Sequence, residues 1–456
     1  MRVLVLVDGE HYPPVVRAAI GRLAAVVPGA DVVAAALLGG TEKLRDGPPE
    51  LGVPVVVGDS PDAALLAALA AHRPDLVYDL SDEPILDDRS RLRLAARTLA
   101  TGVPYAGTDF RLDPPPRPRV ATKPSIAVIG TGKRTGKTAV SAHLARHLVA
   151  EGRPPVIVAM GRGGPDQPEL IDPTTRDLDV ADLVALADAG RHAASDHIED
   201  AVMARVATIG TRRCGGGLAG APGDNTFTAG VQMANERPER LMLLEGSGRA
   251  LPPVHADATV CIVPAGADPE LVVGYLGPYR LLLSDAVVIT MAESSTTSAL
   301  ERQQVEVAEG PQASDRLERS IRGLVAGVRV IRTVFRPTPL VSIRGRRIAF
   351  ATTAPATASE LLKEHLEQEH DCTIVGVSHH LANRPMLQAD LEAMGEADTL
   401  LVELKAAAVD LAARFATGRG MDVVFCDNRV VSVGGDGSFE EAGTWLANLA
   451  EGRFGG

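Results

Sequence analysis

Residues 126–140 read IAVIGTGKRTGKTAV, and few stretches restrict a fold more tightly. The apolar run Ile126, Ala127, Val128, Ile129 breaks into Gly130-Thr131-Gly132, and Lys137 then opens KTAVSAHLARHLVAEG, whose apolar positions recur at helical spacing. A strand that is apolar at every position is buried on both faces, so it belongs in a parallel sheet covered by helices. Where such a strand feeds a helix through glycines, the turn amides and the helix N-terminus aim partial positive charge at one point, which seats an anion. The strict pattern G-x-x-x-x-G-K-[ST] wants glycine at position 131. Thr131 stands there between Gly130 and Gly132, so the loop is expected to be slightly longer than the strict form. In that reading Lys137 meets the β- and γ-phosphates of ATP and Thr138 offers its hydroxyl to Mg²⁺. The expected nucleotide contacts are Gly130, Thr131, Gly132, Lys133, Arg134, Thr135, Gly136, Lys137 and Thr138.

The same alternation of strand and helix runs through the chain. RVLVLVDGE, DVVAAALLGG, VPVVVGD and DLVYDLSDE precede a proline-rich segment at 112–124, LDPPPRPRVATKP, which can continue neither element because proline lacks the amide donor. A second series follows with SIAVIG, PPVIVAMG, RLMLLEG, ATVCIVPAG and DAVVITMAE. A third, after FRPTPLVSIRG, has RIAFATT, CTIVGVS, TLLVELK and DVVFCDNRVVSV. The expected architecture is α/β. A central P-loop NTPase parallel-sheet domain (121–342) is flanked by an N-terminal Rossmann-like domain (1–120) and a C-terminal α/β domain (343–456).

Composition excludes some functions. A net charge of −12 disfavours nucleic acid and anionic membrane surfaces as partners. The four cysteines form no C-x-x-C, and no apolar run reaches membrane-spanning length, which together point to a reduced, cytoplasmic protein. An anionic small substrate would therefore need a local cationic pocket. Only six of the 46 basic residues are lysines, and two of the six, Lys133 and Lys137, lie in the phosphate loop.

Three further stretches supply the chemistry. RLMLLEGSGRALPPV ends a buried strand on Glu245, where a carboxylate can complete the Mg²⁺ shell begun by Thr138. GTRRCGGGLAGAPGDN joins Arg212 and Arg213 to Gly215, Gly216 and Gly217; adjacent glycine amides can form an anion nest, and arginine binds phosphate through a bidentate fork. Cys214, with no His or Asp nearby in sequence, reads as a packing residue. AMGRGGP puts Arg162 at another strand end, and Arg249 follows the Glu245 turn. With Lys133 and Arg134, six cations are expected at the ligand edge of one sheet, more than ATP alone requires. The region 290–293 is the expected place for base recognition. Asp8, Glu10 and His11 form a separate cluster after the first strand, and Asp82, Glu83, Asp87 and Asp88 an acidic run; solvated charge and helix capping account for these equally well.

GTGKRTGKT with EGSG is similar to the dethiobiotin synthetase branch of P-loop enzymes. Taken with VDGEHYPPVVRAAI, YDLSDEPILDDRSRLRLAARTLATGVPYAGTDF, RRCGGG and EGSGRALPPV, the chain resembles the cyclic 2,3-diphosphoglycerate synthetase family over most of its length. The resemblance implies ATP- and Mg²⁺-dependent closure of 2,3-diphosphoglycerate into an internal pyrophosphate ring, with release of ADP and phosphate. It implies Lys137, Lys133 and Arg213 as catalytic, Thr138 and Glu245 on the metal, and Arg162, Arg212, Arg213, Gly215, Gly216, Gly217 and Arg249 on the substrate. The N-terminal domain would cover the site as a lid or join two copies in a homodimer. A P-loop kinase or ligase acting on another acid, or an ATP-driven switch, are the alternatives the residues leave open.

Overall fold

The computed structural model describes residues 1–40, 47–175, 178–293, 310–406 and 408–455. They form two compact units, one of residues 1–116, 267–283 and 316–327, the other of 117–266, 284–315 and 328–456. Among the described residues no helix is long and apolar enough to cross a membrane.

The first unit holds strands β1 (Arg2–Val7), β2 (Asp31–Leu37), β3 (Val55–Val57), β4 (Leu76–Asp79), β5 (Tyr105–Ala106) and β6 (Arg111–Leu112). Their order is β3-β2-β1-β4-β5-β6, parallel except for the last pair. This is the doubly wound order of dinucleotide-binding folds, as the Rossmann-like expectation requires. Val3 to Val7 of β1 are at most 1% exposed, which is why the strand reads as unbroken apolar sequence. Helices α1 (Pro13–Val26), α2 (Pro61–His72) and α3 (Asp88–Ala100) join these strands. Ser60 caps α2 and Asp87 caps α3, each accepting an amide of the first turn. Asp8 accepts the amides of Glu10 and His11 at 3.0 Å and of Asp82 at 2.8 Å. Burial alone would raise its pKa; these bonds and the His11 ring outweigh that and hold it below the ordinary value. Asp79 likewise accepts from Arg91 Nε and Tyr105 Oη at 3.0 and 2.7 Å. The β1/β4 crevice, where this strand order ordinarily seats pyrophosphate, is thus lined by two carboxylates engaged with internal donors.

The second unit is built on one 13-stranded sheet. Its strands are β7 (Ser125–Gly130), β8 (Pro155–Gly161), β9 (Glu169–Ile171), β10 (Thr208–Gly216), β11 (Pro222–Asn225), β12 (Leu241–Glu245), β13 (Ala258–Pro264), β14 (Ala286–Thr290), β15 (Arg329–Pro339), β16 (Arg347–Ala351), β17 (Thr373–Ser378), β18 (Thr399–Glu403) and β19 (Asp422–Gly435). The order is β11-β10-β8-β12-β7-β13-β14-β15-β19-β18-β16-β17, with β9 on β10. Neighbours from β10 to β15 are parallel, β15 and β19 are antiparallel, and β19 to β17 are parallel again. The segments expected as second and third domains therefore share a sheet instead of packing apart. β19 is the joint: Asp422 to Cys426 pair with β18, and Cys426 to Gly435 pair with β15. Pro337 and Pro339, in the FRPTPLVSIRG stretch that precedes the third series, lie inside β15. They fall beyond Arg332, where pairing with β14 ends, so their missing amides face an edge that needs no donor.

Helices α4 (Lys137–Ala150), α5 (Val180–Asp188), α6 (Asp196–Ala204) and α7 (Phe227–Asn235) belong to this unit. Lys123 donates to the carbonyls of Ala234, Arg237 and Glu239 at 2.7–3.0 Å and so closes the C-terminal end of α7. The C-terminal helix Phe439–Phe454 returns onto α4: His143 Nε2 meets Glu440 Oε1 and His147 Nε2 meets Thr444 Oγ1, both at 2.9 Å.

Candidate active site

β7 leaves the middle of the large sheet and enters α4 through residues 131–136. The Thr131 amide donates to the carbonyl of Ile262 on β13 at 3.1 Å, and Thr290 Oγ1 donates to the Thr135 carbonyl at 2.8 Å. β13, beside β7, and β14, the next strand out, thus anchor the loop. Thr290, expected at the base, supports the loop from beneath, and Glu293 pairs with Arg336 at 2.7 Å. Gly136 has φ +89°, and a Cβ there would lie 2.3 Å from the Phe335 ring. Gly136→Ala should therefore cost roughly 1–3 kcal/mol in strain and overlap. Denaturant unfolding together with ADP titration should show both stability and nucleotide affinity falling; an unchanged midpoint would mean that the ring yields.

Lys137 is the first residue of α4 and is buried. Its Nζ donates to the Gly132 carbonyl at 2.9 Å, across the mouth of the loop. Burial lowers its pKa, and the charges of Glu245 and Asp196 oppose the shift. Lys133 and Arg134 stand exposed at the loop tip.

Glu245 ends β12, the strand beside β7, in register with Val128. Its carboxylate is 2% exposed and meets the α6 face that carries Asp196, Glu199 and Asp200. Burial, then the neighbouring charge, pushes Asp200 well above the ordinary carboxylate range, and burial raises Glu245 as well. Glu199 rises to about 8 through burial, although Lys405 opposes it. Glu245 Oε2 and both Asp200 oxygens have no donor while ionised. These orphaned buried oxygens beside the Thr138 hydroxyl, which lowers the Glu245 pKa through a hydrogen bond, fit a hard divalent cation. Among the described residues no three His, Cys, Asp or Glu side chains close a full nest, so such an ion would take the rest of its shell from water and phosphate oxygens.

The arginines divide by strand pleat. Side chains alternate faces along β10, so Arg212 and Arg213 point oppositely. Arg213 is buried; its Nη1 donates to the Gly215 carbonyl at 2.6 Å and its Nη2 to the Ser247 carbonyl at 2.8 Å. Arg162 reaches the same place: the Nη2 atoms of Arg162 and Arg213 lie 3.0 and 3.4 Å from where a Gly248 side chain would start. Burial, then Arg162, holds the Arg213 pKa below its usual value, as expected where two guanidinium groups share a site. Arg249 Nε donates to the Thr131 carbonyl at 2.8 Å and ties this turn to the phosphate loop. Arg212 instead pairs with Asp166.

Gly215 and Gly216 belong to β10, and the Gly217 amide is taken by the Ala221 carbonyl at 2.8 Å. The triple glycine thus ends β10 and enters a β-hairpin turn, and its Gly217 amide is not available to a nest. Cys214 sits on that hairpin exposed, which corrects its reading as a packing residue: it pairs with Asp224 of β11, the edge strand of the sheet. The sequence reading missed Asp196, Glu199 and Asp200. Their i, i+3, i+4 spacing in SDHIEDAV puts them on one helical face, but it resembles a solvated acidic helix as much as a buried one.

The arrangement joins a phosphate loop, a buried carboxylate pair and two guanidinium groups at adjacent strand ends, so it can hold a nucleotide next to a second anion. Family models of cyclic 2,3-diphosphoglycerate synthetase match all three parts of the chain: the N-terminal domain at residues 2–113, the P-loop domain at 125–311 and the C-terminal domain at 339–429. A relative of that name from Rubrobacter xylanophilus is 45% identical over 438 residues, 96% of each chain. Those from Methanothermobacter thermautotrophicus and Thermococcus gammatolerans are 41% and 43% identical, covering 98% and 95% of this chain and 95% and 94% of their own.

Proposed function

Because the chain belongs to the cyclic 2,3-diphosphoglycerate synthetase family, we propose that it closes 2,3-diphosphoglycerate into its cyclic form with ATP, releasing ADP and phosphate. One observation carries the reading: Arg162 and Arg213 meet at Gly248, three residues past Glu245, while Arg249 of the same turn holds the phosphate loop.

The substrate carries about five negative charges. Each close pair of unit charges repels by roughly 1 kcal/mol at ~4 Å in water, and more when desolvated. The guanidinium groups of Arg162 and Arg213 offset this and orient one phosphate, Arg213 being fixed by two backbone carbonyls. A second substrate phosphate attacks the γ-phosphorus of ATP; the new P–O bond forms as the bond to ADP breaks, and the electron pair leaves with ADP. Lys137 meets the charge that develops on the transferred group. The phosphate held by the arginines then attacks the substrate's own activated phosphorus and expels inorganic phosphate, closing the ring. Holding both groups in one pocket makes this step intramolecular, an advantage worth up to about 7–11 kcal/mol in well-oriented systems. Both nucleophiles are ionised near neutral pH, so no general base is needed. Thr138 and Glu245, with Asp200 adjacent, would hold Mg²⁺, whose contribution is to neutralise phosphate charge. Lys133 at the exposed tip and Arg212 on the opposite strand face would assist at the rim. A division into three sequence segments at 120 and 342, the second and third sharing one sheet, a cytoplasmic location and a homodimer complete the proposal.

Phosphorus NMR of the protein with ATP, Mg²⁺ and 2,3-diphosphoglycerate should show a cyclic pyrophosphate, with ADP and phosphate released in equal amounts. A phosphorylated acceptor that keeps the third phosphate would make it a kinase, and ATP turnover without any acceptor would make it a switch.

A further inference from the structure

The carboxylates of Asp196, Glu199, Asp200 and Glu245 lie together with two lysines beside them, Lys137 from the phosphate loop and Lys405 from the loop after β18. Lys137 faces Glu245 and Asp196. The far end of the α6 face is met by Lys405, whose Nζ lies 3.4 Å from Glu199 Oε1. Among the described residues it is the one cation within ion-pair distance of the acids of α6. The loop bearing Lys405 is itself held firmly. Two residues earlier, Glu403 accepts Thr352 Oγ1 and Thr353 Oγ1 at 2.7 Å, the Thr353 amide at 2.9 Å and Asn428 Nδ2 at 3.2 Å. The lysine thus projects from the ends of β16 and β18, beside the middle of β19, onto an acidic helix whose own charges repel one another.

We propose that Lys405 is a positioning residue: by gripping Glu199 it keeps α6 turned so that Asp200 faces Glu245, and so gives the C-terminal segment a share in building the cation site. This rests on the reading that a divalent cation sits at Thr138 and Glu245. Supporting groups of this kind change metal affinity by about 10–100-fold when removed.

The test uses the full chain without acceptor and follows ADP binding by calorimetry over a Mg²⁺ series. Lys405→Met should raise the Mg²⁺ needed for half-maximal enhancement by about tenfold or more, with ADP affinity in chelator changed by less than about twofold, and Lys405→Arg should restore most of the loss. Glu199→Gln keeps the shape but loses the grip; it should shift the Mg²⁺ dependence the same way, and it serves if Lys405→Met does not fold. Glu245→Gln is the reference. If it shifts the Mg²⁺ series while Lys405→Met and Glu199→Gln follow the wild type, Lys405 only packs and the proposal fails. If Glu245→Gln leaves the series unchanged, the cation site itself is misread and the role of Lys405 falls with it.

Discussion

Lys137→Met should abolish ring closure. The ammonium begins the helix, is buried, and lies across the loop mouth at 2.9 Å from the Gly132 carbonyl. Desolvation strengthens any interaction it makes with a phosphoryl group, because little water competes there. Removing one preorganised donor to developing transition-state charge commonly costs about 10²–10³-fold in kcat, on the order of 3–4 kcal/mol, and a full positive charge should stand at or above that range. ADP binding should fall much less, since ADP lacks the γ-phosphate. Single-turnover formation of ADP from ATP and 2,3-diphosphoglycerate is the measurement. A variant that turns over at the wild-type rate would take the phosphate loop out of the mechanism.

Arg213→Met should separate the two ligands. The KM for 2,3-diphosphoglycerate should rise about 100-fold, near 3 kcal/mol, as expected for losing charge-assisted hydrogen bonds in a buried site. The KM for ATP should move by less than a factor of about three, because Arg213 bonds to the Gly215 and Ser247 carbonyls and none of its bonds reaches the phosphate loop. Arg212→Met supplies the contrast. Its guanidinium is paired with Asp166 on the other face of β10, so its effect on the diphosphoglycerate KM should be several-fold smaller. Equal loss of both ligands in Arg213→Met, or equal effects of the two arginines, would remove Arg213 from the substrate pocket.

The two arginines also show where sequence reasoning stopped. RRCGGG read as a cationic loop in which both arginines served one ligand. Once Thr208–Gly216 is a strand, adjacent residues must face apart, and only the pleat decides which arginine turns toward Gly248. The prolines of β15 show the same limit of local reading. Pro337 and Pro339 deny a donor, which locally reads as a break, yet an unpaired strand edge asks for none. The acids of α6 carried a periodic signal, but nothing in SDHIEDAV says whether water or Glu245 faces them.

The chain alone determined what depends on neighbours in sequence: the apolar run of β7, the glycine turn, the helix that starts at Lys137, the carboxylate ending β12, and the strand–helix alternation that forces parallel sheets. These follow from backbone sterics and hydrophobic spacing within a few residues. The tertiary structure decided which charges meet. Glu245 beside Asp200, Lys405 on Glu199, and Arg213 with Arg162 over Gly248 are pairs separated by tens to hundreds of positions, brought together by the order of strands in one sheet. Coulomb energies and desolvation depend on distance through space, and that distance is a property of the sheet order and not of the local chain.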